Sequence, residues 1–175
     1  QSIAKKKMTA VQITVEAVQG ATGYQIYRKK GSKVTMIGQT SGTVFLDQNP
    51  VSGRSSYYAK AIKGSLTGKE GSAKKITLPK ATTKVTAKAK TDKTVVLSWK
   101  KVKGATGYLV YRSTKKNGSY QRIAVLKKGT KCTYNDKKGL KKGMKYYYRI
   151  VTVKKKTYSP AKTTKAVKIK AAKKK

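Results

Sequence analysis

A five-residue string, Gly-Ala-Thr-Gly-Tyr, occurs twice, at residues 20–24 and 104–108, an offset of 84. A chain that repeats itself at this distance folds as two copies of one unit, because the period is too long for a solenoid repeat and suits a small domain. The flanks hold the register. Ile13-Thr14-Val15-Glu16-Ala17-Val18 lies over Leu97-Ser98-Trp99-Lys100-Lys101-Val102, and Tyr24-Gln25-Ile26-Tyr27-Arg28 over Tyr108-Leu109-Val110-Tyr111-Arg112. Further on, Phe45-Leu46-Asp47 matches Tyr134-Asn135-Asp136, and Tyr57-Tyr58-Ala59 matches Tyr146-Tyr147-Tyr148, now at an offset of 89. Five residues have therefore entered the second copy between Arg112 and Tyr134, where Ser113-Thr114-Lys115-Lys116-Asn117-Gly118 reads as a longer hairpin loop.

The repeated segments alternate apolar and polar residues, as half-buried strands do. Val95-Val96-Leu97-Ser98-Trp99, residues 108–112 and residues 146–151 show the pattern most clearly. Turn signals separate them at Lys103-Gly104, Asn117-Gly118, Lys128-Gly129, Lys142-Gly143 and Ser159-Pro160. No stretch sustains helical spacing. The chain is expected to be all-β, two tandem sandwiches over residues 1–79 and 80–175 in an elongated arrangement, joined near Leu78-Pro79-Lys80-Ala81-Thr82. So short a linker predicts limited bending.

In the second copy Leu97-Ser98-Trp99 is followed by Val102-Lys103-Gly104-Ala105-Thr106-Gly107-Tyr108, then Gly118-Ser119-Tyr120, Tyr134-Asn135-Asp136 and Gly139-Leu140-Lys141-Lys142-Gly143-Met144-Lys145-Tyr146-Tyr147-Tyr148-Arg149-Ile150. This succession resembles the fibronectin type III domain, an immunoglobulin-like sandwich found in tandem in secreted surface proteins of Gram-positive bacteria. The resemblance covers nearly all of residues 80–170. It implies that Trp99, Tyr108, Val110, Tyr148 and Ile150 face the core. It also implies that Tyr146, with Tyr57 as counterpart, is the tyrosine corner, whose hydroxyl bonds back to the backbone.

The first copy departs from the pattern. Val15 stands in the place of Trp99, and Ala59 and Ala61 in those of Tyr148 and Ile150, so its core is expected to be smaller and weaker. Leu78-Pro79, which opens copy two, maps to positions before residue 1. Copy one is therefore expected to lack the beginning of its first strand, and the chain to be a piece of a longer protein with domains upstream.

Composition narrows the function. Lys+Arg number 44 against 5 Asp+Glu, with no histidine, a formal net charge of +39. Without histidine there is no imidazole base and no imidazole-held zinc. Five scattered acids supply neither a carboxylate pair nor a calcium cage. The single cysteine, Cys132, makes no internal disulfide and is expected to be a small buried side chain. The expectation is a non-enzyme with no cofactor and no metal. No apolar run is long enough to span a membrane.

The charge is unequal and mostly lysine. Residues 1–79 carry +10 and residues 80–175 carry +29, and only Arg28, Arg54, Arg112, Arg122 and Arg149 are arginine. Lysine is a mobile, hydrated point charge suited to diffuse attraction, not to base readout. Doublets fall in nearly every loop expected in copy two: Lys115 and Lys116, Lys127 and Lys128, Lys137 and Lys138, Lys141 and Lys142, then Lys154, Lys155 and Lys156. A basic tail, Ala171-Ala172-Lys173-Lys174-Lys175, follows.

Leu109, Tyr111, Tyr147, Arg149 and Val151 alternate against the core positions and are expected to point outward, as are Gln25, Tyr27, Tyr58, Lys60 and Ile62 in copy one. Tyr111, Tyr147 and Arg149 are the stacking and anion-binding candidates on that face. The bland alternative is that tyrosine merely suits a pleated surface and lysine merely solubilises.

These readings point to a non-catalytic extracellular module attaching its parent protein to a polyanion: wall teichoic acid or another wall polymer, an acidic glycan, or nucleic acid bound without sequence specificity. The alternative is a structural spacer or filament subunit of a bacterial surface assembly, in contact with neighbouring domains or subunits. Sequence-specific nucleic-acid regulation is disfavoured by scarce arginine and the absence of a recognition helix. Localisation at the cell surface or cell wall follows from the resemblance.

Overall fold

The computed structural model describes residues 10–155 and 157–170, so Lys156 and the basic tail lie outside the described residues. The chain divides into two compact units, one ending at Leu78 and one running on from Pro79. Every described element is a strand, and each pairing is antiparallel.

In the first unit β1 (Val11–Thr14) pairs with β4 (Val44–Asp47). Opposite them stands a sheet in which β3 (Lys33–Thr40), β2 (Gly23–Lys30) and β5 (Gly53–Lys63) are neighbours, and β6 (Leu66–Glu70) and β7 (Lys74–Leu78) both pair with β5. The second unit repeats this plan. β8 (Thr86–Thr91), β9 (Thr94–Ser98) and β12 (Thr133–Asp136) form one sheet. The other contains β11 (Gln121–Leu126), β10 (Gly107–Ser113) and β13 (Lys145–Lys154), with the short strands β14 (Thr157–Tyr158), β15 (Lys162–Thr163) and β16 (Val167–Lys168) along β13. By the repeat, β1 corresponds to β9. Among the described residues β1 pairs with β4 alone, whereas β9 lies between β8 and β12.

Alternation along each strand builds the second core, since successive side chains leave a strand on opposite faces. Val95, Leu97, Trp99, Tyr108, Val110, Tyr146, Tyr148 and Ile150 form one buried cluster between the two sheets. Trp99 meets Tyr108 edge to face, at 5.3 Å and 65°. The Tyr108 hydroxyl accepts a bond from Val102 N at 3.0 Å, and Tyr24 does the same for Val18 N at 2.8 Å. In the first unit Ile26, Tyr24 and Tyr57 are buried, but Val15, Ala59 and Ala61 are only half-buried. Cys132 is half-buried beside Tyr108, its Sγ 4.0 Å from the hydroxyl, and not the fully buried side chain expected.

The pairing corrects the repeat alignment at β5. Arg28 faces Tyr57 across β2 and β5, and Arg112 faces Tyr148 across β10 and β13. Tyr57 therefore corresponds to Tyr148, Ala59 to Ile150, and Ser55 to Tyr146, two positions from the sequence match. The five residues extra in copy two before Asp136 stand, since Arg28 and Asp47 are 19 apart and Arg112 and Asp136 are 24. Two more residues separate Asp136 from Tyr148, at 12, than Asp47 from Tyr57, at 10. Tyr146 is a tyrosine corner, its hydroxyl accepting from Lys141 N at 2.9 Å. Tyr57 is not, and the buried Ser55 hydroxyl in the corresponding place has no hydrogen-bond partner among the described residues.

Candidate functional site

Each unit buries one carboxylate at the end of a strand, and that carboxylate organises what surrounds it. In the second unit Asp136, 2% exposed, takes Arg112 at 2.9 Å and the Tyr148 hydroxyl at 2.9 Å. Its other oxygen accepts from Lys138 N at 3.4 Å, and Arg112 also donates to Lys138 O at 2.6 Å. Asp47, Arg28 and Tyr57 repeat the arrangement at 2.6 and 2.8 Å, with Asn49 in the place of Lys138. Burial, reinforced by Asp47, pushes the Tyr57 phenol up to about 12. Burial and Asp136 push Tyr148 higher still. These triads are scaffold.

What they hold differs between the units. In the second, the loop from β12 to β13 is pinned at Lys138 by Asp136 and Arg112 and at Lys141 by Tyr146, so Lys137, Lys138, Lys141 and Lys142 rise from an ordered backbone. The corresponding loop of the first unit, residues 48–52, contains no lysine. Lys142 reaches Asp92 at 3.2 Å in the turn between β8 and β9. Asp92 and Asp136 are the only acids in residues 80–175, and both are in ion pairs.

The sequence candidates do not converge on one spot. Strand direction places Lys115, Lys116, Lys137, Lys138, Lys141 and Lys142, all exposed, at the end of the sandwich where β10 finishes. Lys127, Lys128, Lys154 and Lys155, also exposed, lie at the opposite end, about 20 Å away along β10. Lys155 holds a left-handed backbone, φ 55°, in the hairpin leading to β14.

Tyr111, Tyr147 and Arg149 belong to a third place, the outer face of the β10–β13 sheet. The register lines up Arg122, Tyr111, Arg149 and Thr163 in one row across four strands. The Arg149 guanidinium carbon lies 3.9 Å from the centre of the Tyr120 ring, and its Nε donates to Thr163 Oγ1 at 3.1 Å. Burial raises the Tyr111 phenol, opposed by nearby Arg122 and aided by Tyr158. Burial likewise raises Tyr120, with Arg149 opposing and Tyr147 adding. Tyr111, Tyr120, Arg122, Tyr147, Arg149 and Tyr158 form a cationic and aromatic strip. Tyr120, Arg122 and Tyr158 escaped the sequence reading because only strand pairing brings them beside Tyr111 and Arg149.

Three of the residues expected to point outward, Leu109, Val151 and Tyr58, are nevertheless buried. Leu109 and Val151 face each other in the register and are 7% and 0% exposed, yet neither belongs to the inter-sheet cluster. They lie on the outer face between the Tyr111–Arg149 pair and Val153, which pairs with Tyr158. In the first unit Tyr58 is also buried, stacked parallel on Tyr27 at 5.1 Å and 5°. Lys60 lies over Tyr27 at 5.5 Å and pairs with Glu70 at 3.6 Å, so this equivalent face carries a compensated charge. Among the described residues no group of three His, Cys, Asp or Glu could hold a metal ion, and no helix is long and apolar enough to cross a membrane.

Comparison with known proteins gives the frame a family. The fibronectin type III domain profile matches residues 79–167. An amylopullulanase of Thermoanaerobacterium saccharolyticum is 40% identical over 78 residues, which is 45% of this chain and 6% of that enzyme. The crystal structure of an Fn3-like protein from Clostridium thermocellum is similar at 27% identity and TM-score 0.47, covering 56% of this chain and 100% of that one. A two-domain fibronectin type III segment of chicken tenascin is similar at 17% identity and TM-score 0.47, over 93% of this chain and 94% of that one. With the profile spanning half of its length, the chain belongs to the fibronectin type III domain family.

Proposed function

We propose that the chain is a non-catalytic accessory module that attaches a larger extracellular protein to a polyanionic surface, through the lysines of its second unit. The observation that carries this reading is the charge balance of residues 80–175. Both acids of that segment are already in ion pairs, and its net charge of +29 has no further carboxylate side chain within the segment to offset it. Such a surface repels itself, and a polyanion relieves the repulsion while releasing its own counterions. The pinned loop adds preorganisation, because lysines on an ordered backbone lose less freedom on binding than lysines on a free chain.

The module character draws support from the amylopullulanase match, whose 78 residues are 6% of that enzyme. Retention of the intact chain on immobilised heparin tests the reading. Elution should shift steeply with salt and should occur on an unrelated polyanion as well. Passage through both columns at low salt would refute it.

A further inference from the structure

We infer that the strip on the outer face of the second unit, made of Tyr111, Tyr120, Arg122, Tyr147, Arg149 and Tyr158, is a discrete site for a sugar ring bearing a negative group, within an acidic polysaccharide. The inference rests on the polyanion reading above and sharpens it from a charge to a ligand. Arg149 is its centre. It is half-buried, it is fixed by the Tyr120 ring and by Thr163, and no carboxylate of its unit is available to neutralise it. A guanidinium held in one place without a counter-charge is prepared for an oxyanion, where a free lysine is not. Arg122 stands two strands away in the same row and adds a second positive charge.

The stacking pattern selects the ligand class. The Tyr120 ring lies against the Arg149 guanidinium and Nε donates to Thr163, so the oxygens of a carboxylate, sulfate or phosphate would approach through the remaining Nη donors. A run of nucleic-acid bases needs a series of open rings to stack on. On this face only Tyr158 is open, at 45% exposure, while Tyr111, Tyr120 and Tyr147 are half-buried. One open ring beside a fixed anion-binding edge suits a single pyranose with its acidic substituent. The corresponding face of the first unit, with Tyr58 in the place of Arg149 and Lys60 paired to Glu70, lacks the uncompensated arginine.

The test compares three probes with the intact chain at one moderate ionic strength: polygalacturonate, inorganic polyphosphate and a single-stranded DNA oligomer. Polygalacturonate should bind most tightly. Tyr158→Ser should lower its affinity by about fivefold while leaving polyphosphate unchanged, and Arg149→Lys, which keeps the charge and loses the contact with Tyr120, should weaken polygalacturonate more than polyphosphate. Lys137→Gln with Lys138→Gln should weaken all three alike. Equal affinity for polygalacturonate and polyphosphate, or equal losses on both in the strip variants, would overturn the sugar site and leave polyanion attachment standing. Tightest binding to the DNA oligomer, lost in the same variants, would assign the strip to bases and overturn the proposal. Failure to bind any probe would overturn the underlying reading as well. Tyr158 is exposed, so Tyr158→Ser decides the matter even if Arg149→Lys does not fold.

Discussion

Asp136 accepts from Arg112, Tyr148 and Lys138 while almost wholly buried, so its charge and its geometry are both in use. Replacing it by asparagine leaves the guanidinium of Arg112 without its counter-charge in a largely buried place. Asp136→Asn should lower the stability of the second unit by about 3 kcal/mol, measured by urea unfolding. Lys142→Gln breaks the exposed pair with Asp92 and should change it by less than about 1 kcal/mol. Similar costs for the two would mean that the buried triad is not a scaffold. The phenols make a second test. In the fold the neutral form of Tyr57 is favoured, so its contribution is complete below its ordinary value of 10.0 and is lost as pH climbs through about 12. Phenolate absorbance that Tyr57→Phe removes should appear only well above pH 10.0, together with loss of near-ultraviolet circular dichroism. Ionisation of Tyr57 near pH 10.0 with the fold intact would contradict this.

At the scale of elements, Gly129 shows how the loop after β11 is fitted against the turn before β10. A Cβ there would fall 1.8 Å from Ala105 O, a backbone atom, so the loop that carries Lys127 and Lys128 would have to shift. Gly129→Ala should destabilise by about 3 kcal/mol. Gly143→Ala meets no atom within 4 Å and bears only its left-handed φ of 77°, at about 1 kcal/mol. Matching urea midpoints for the two would show that the loops do not pack as described. The same scale explains what was legible in the residues alone. Tyr108 and Val110 in β10, Tyr148 and Ile150 in β13, and Trp99 just past β9 keep one alternation, and alternation with large apolar side chains is enough to assign the core. The slip of two positions at β5 was hidden because tyrosine fills consecutive places at 57–58 and 146–148, and such a run matches itself in more than one register. Arg112 and Asp136 are 24 residues apart, and the row from Arg122 to Thr163 spans four strands, so neither arrangement has any local signal. The short strands against β13 are only two residues each, below the length at which a pattern can be seen.

Across the whole molecule, one frame occurs twice with its core triad kept and its surface changed. The first unit retains Arg28, Asp47 and Tyr57, yet its segment of the chain carries +10 against +29 for the second. Exposed loop lysines at both ends of the second sandwich and two arginines on its face contribute to the excess, and none of them belongs to the buried core cluster. In the proposed function, attachment to a polyanion is carried by surface charge, and its strength should follow the number of counterions displaced. The most direct test is the affinity of the intact chain for duplex DNA, used as a generic polyanion, across a range of salt. The logarithm of affinity should fall with the logarithm of salt at a slope of about −4 or steeper. Changing Lys137, Lys138 and Lys141 to glutamine should make that slope shallower by about 1 to 3. A slope near zero, or one that these changes leave untouched, would contradict the account.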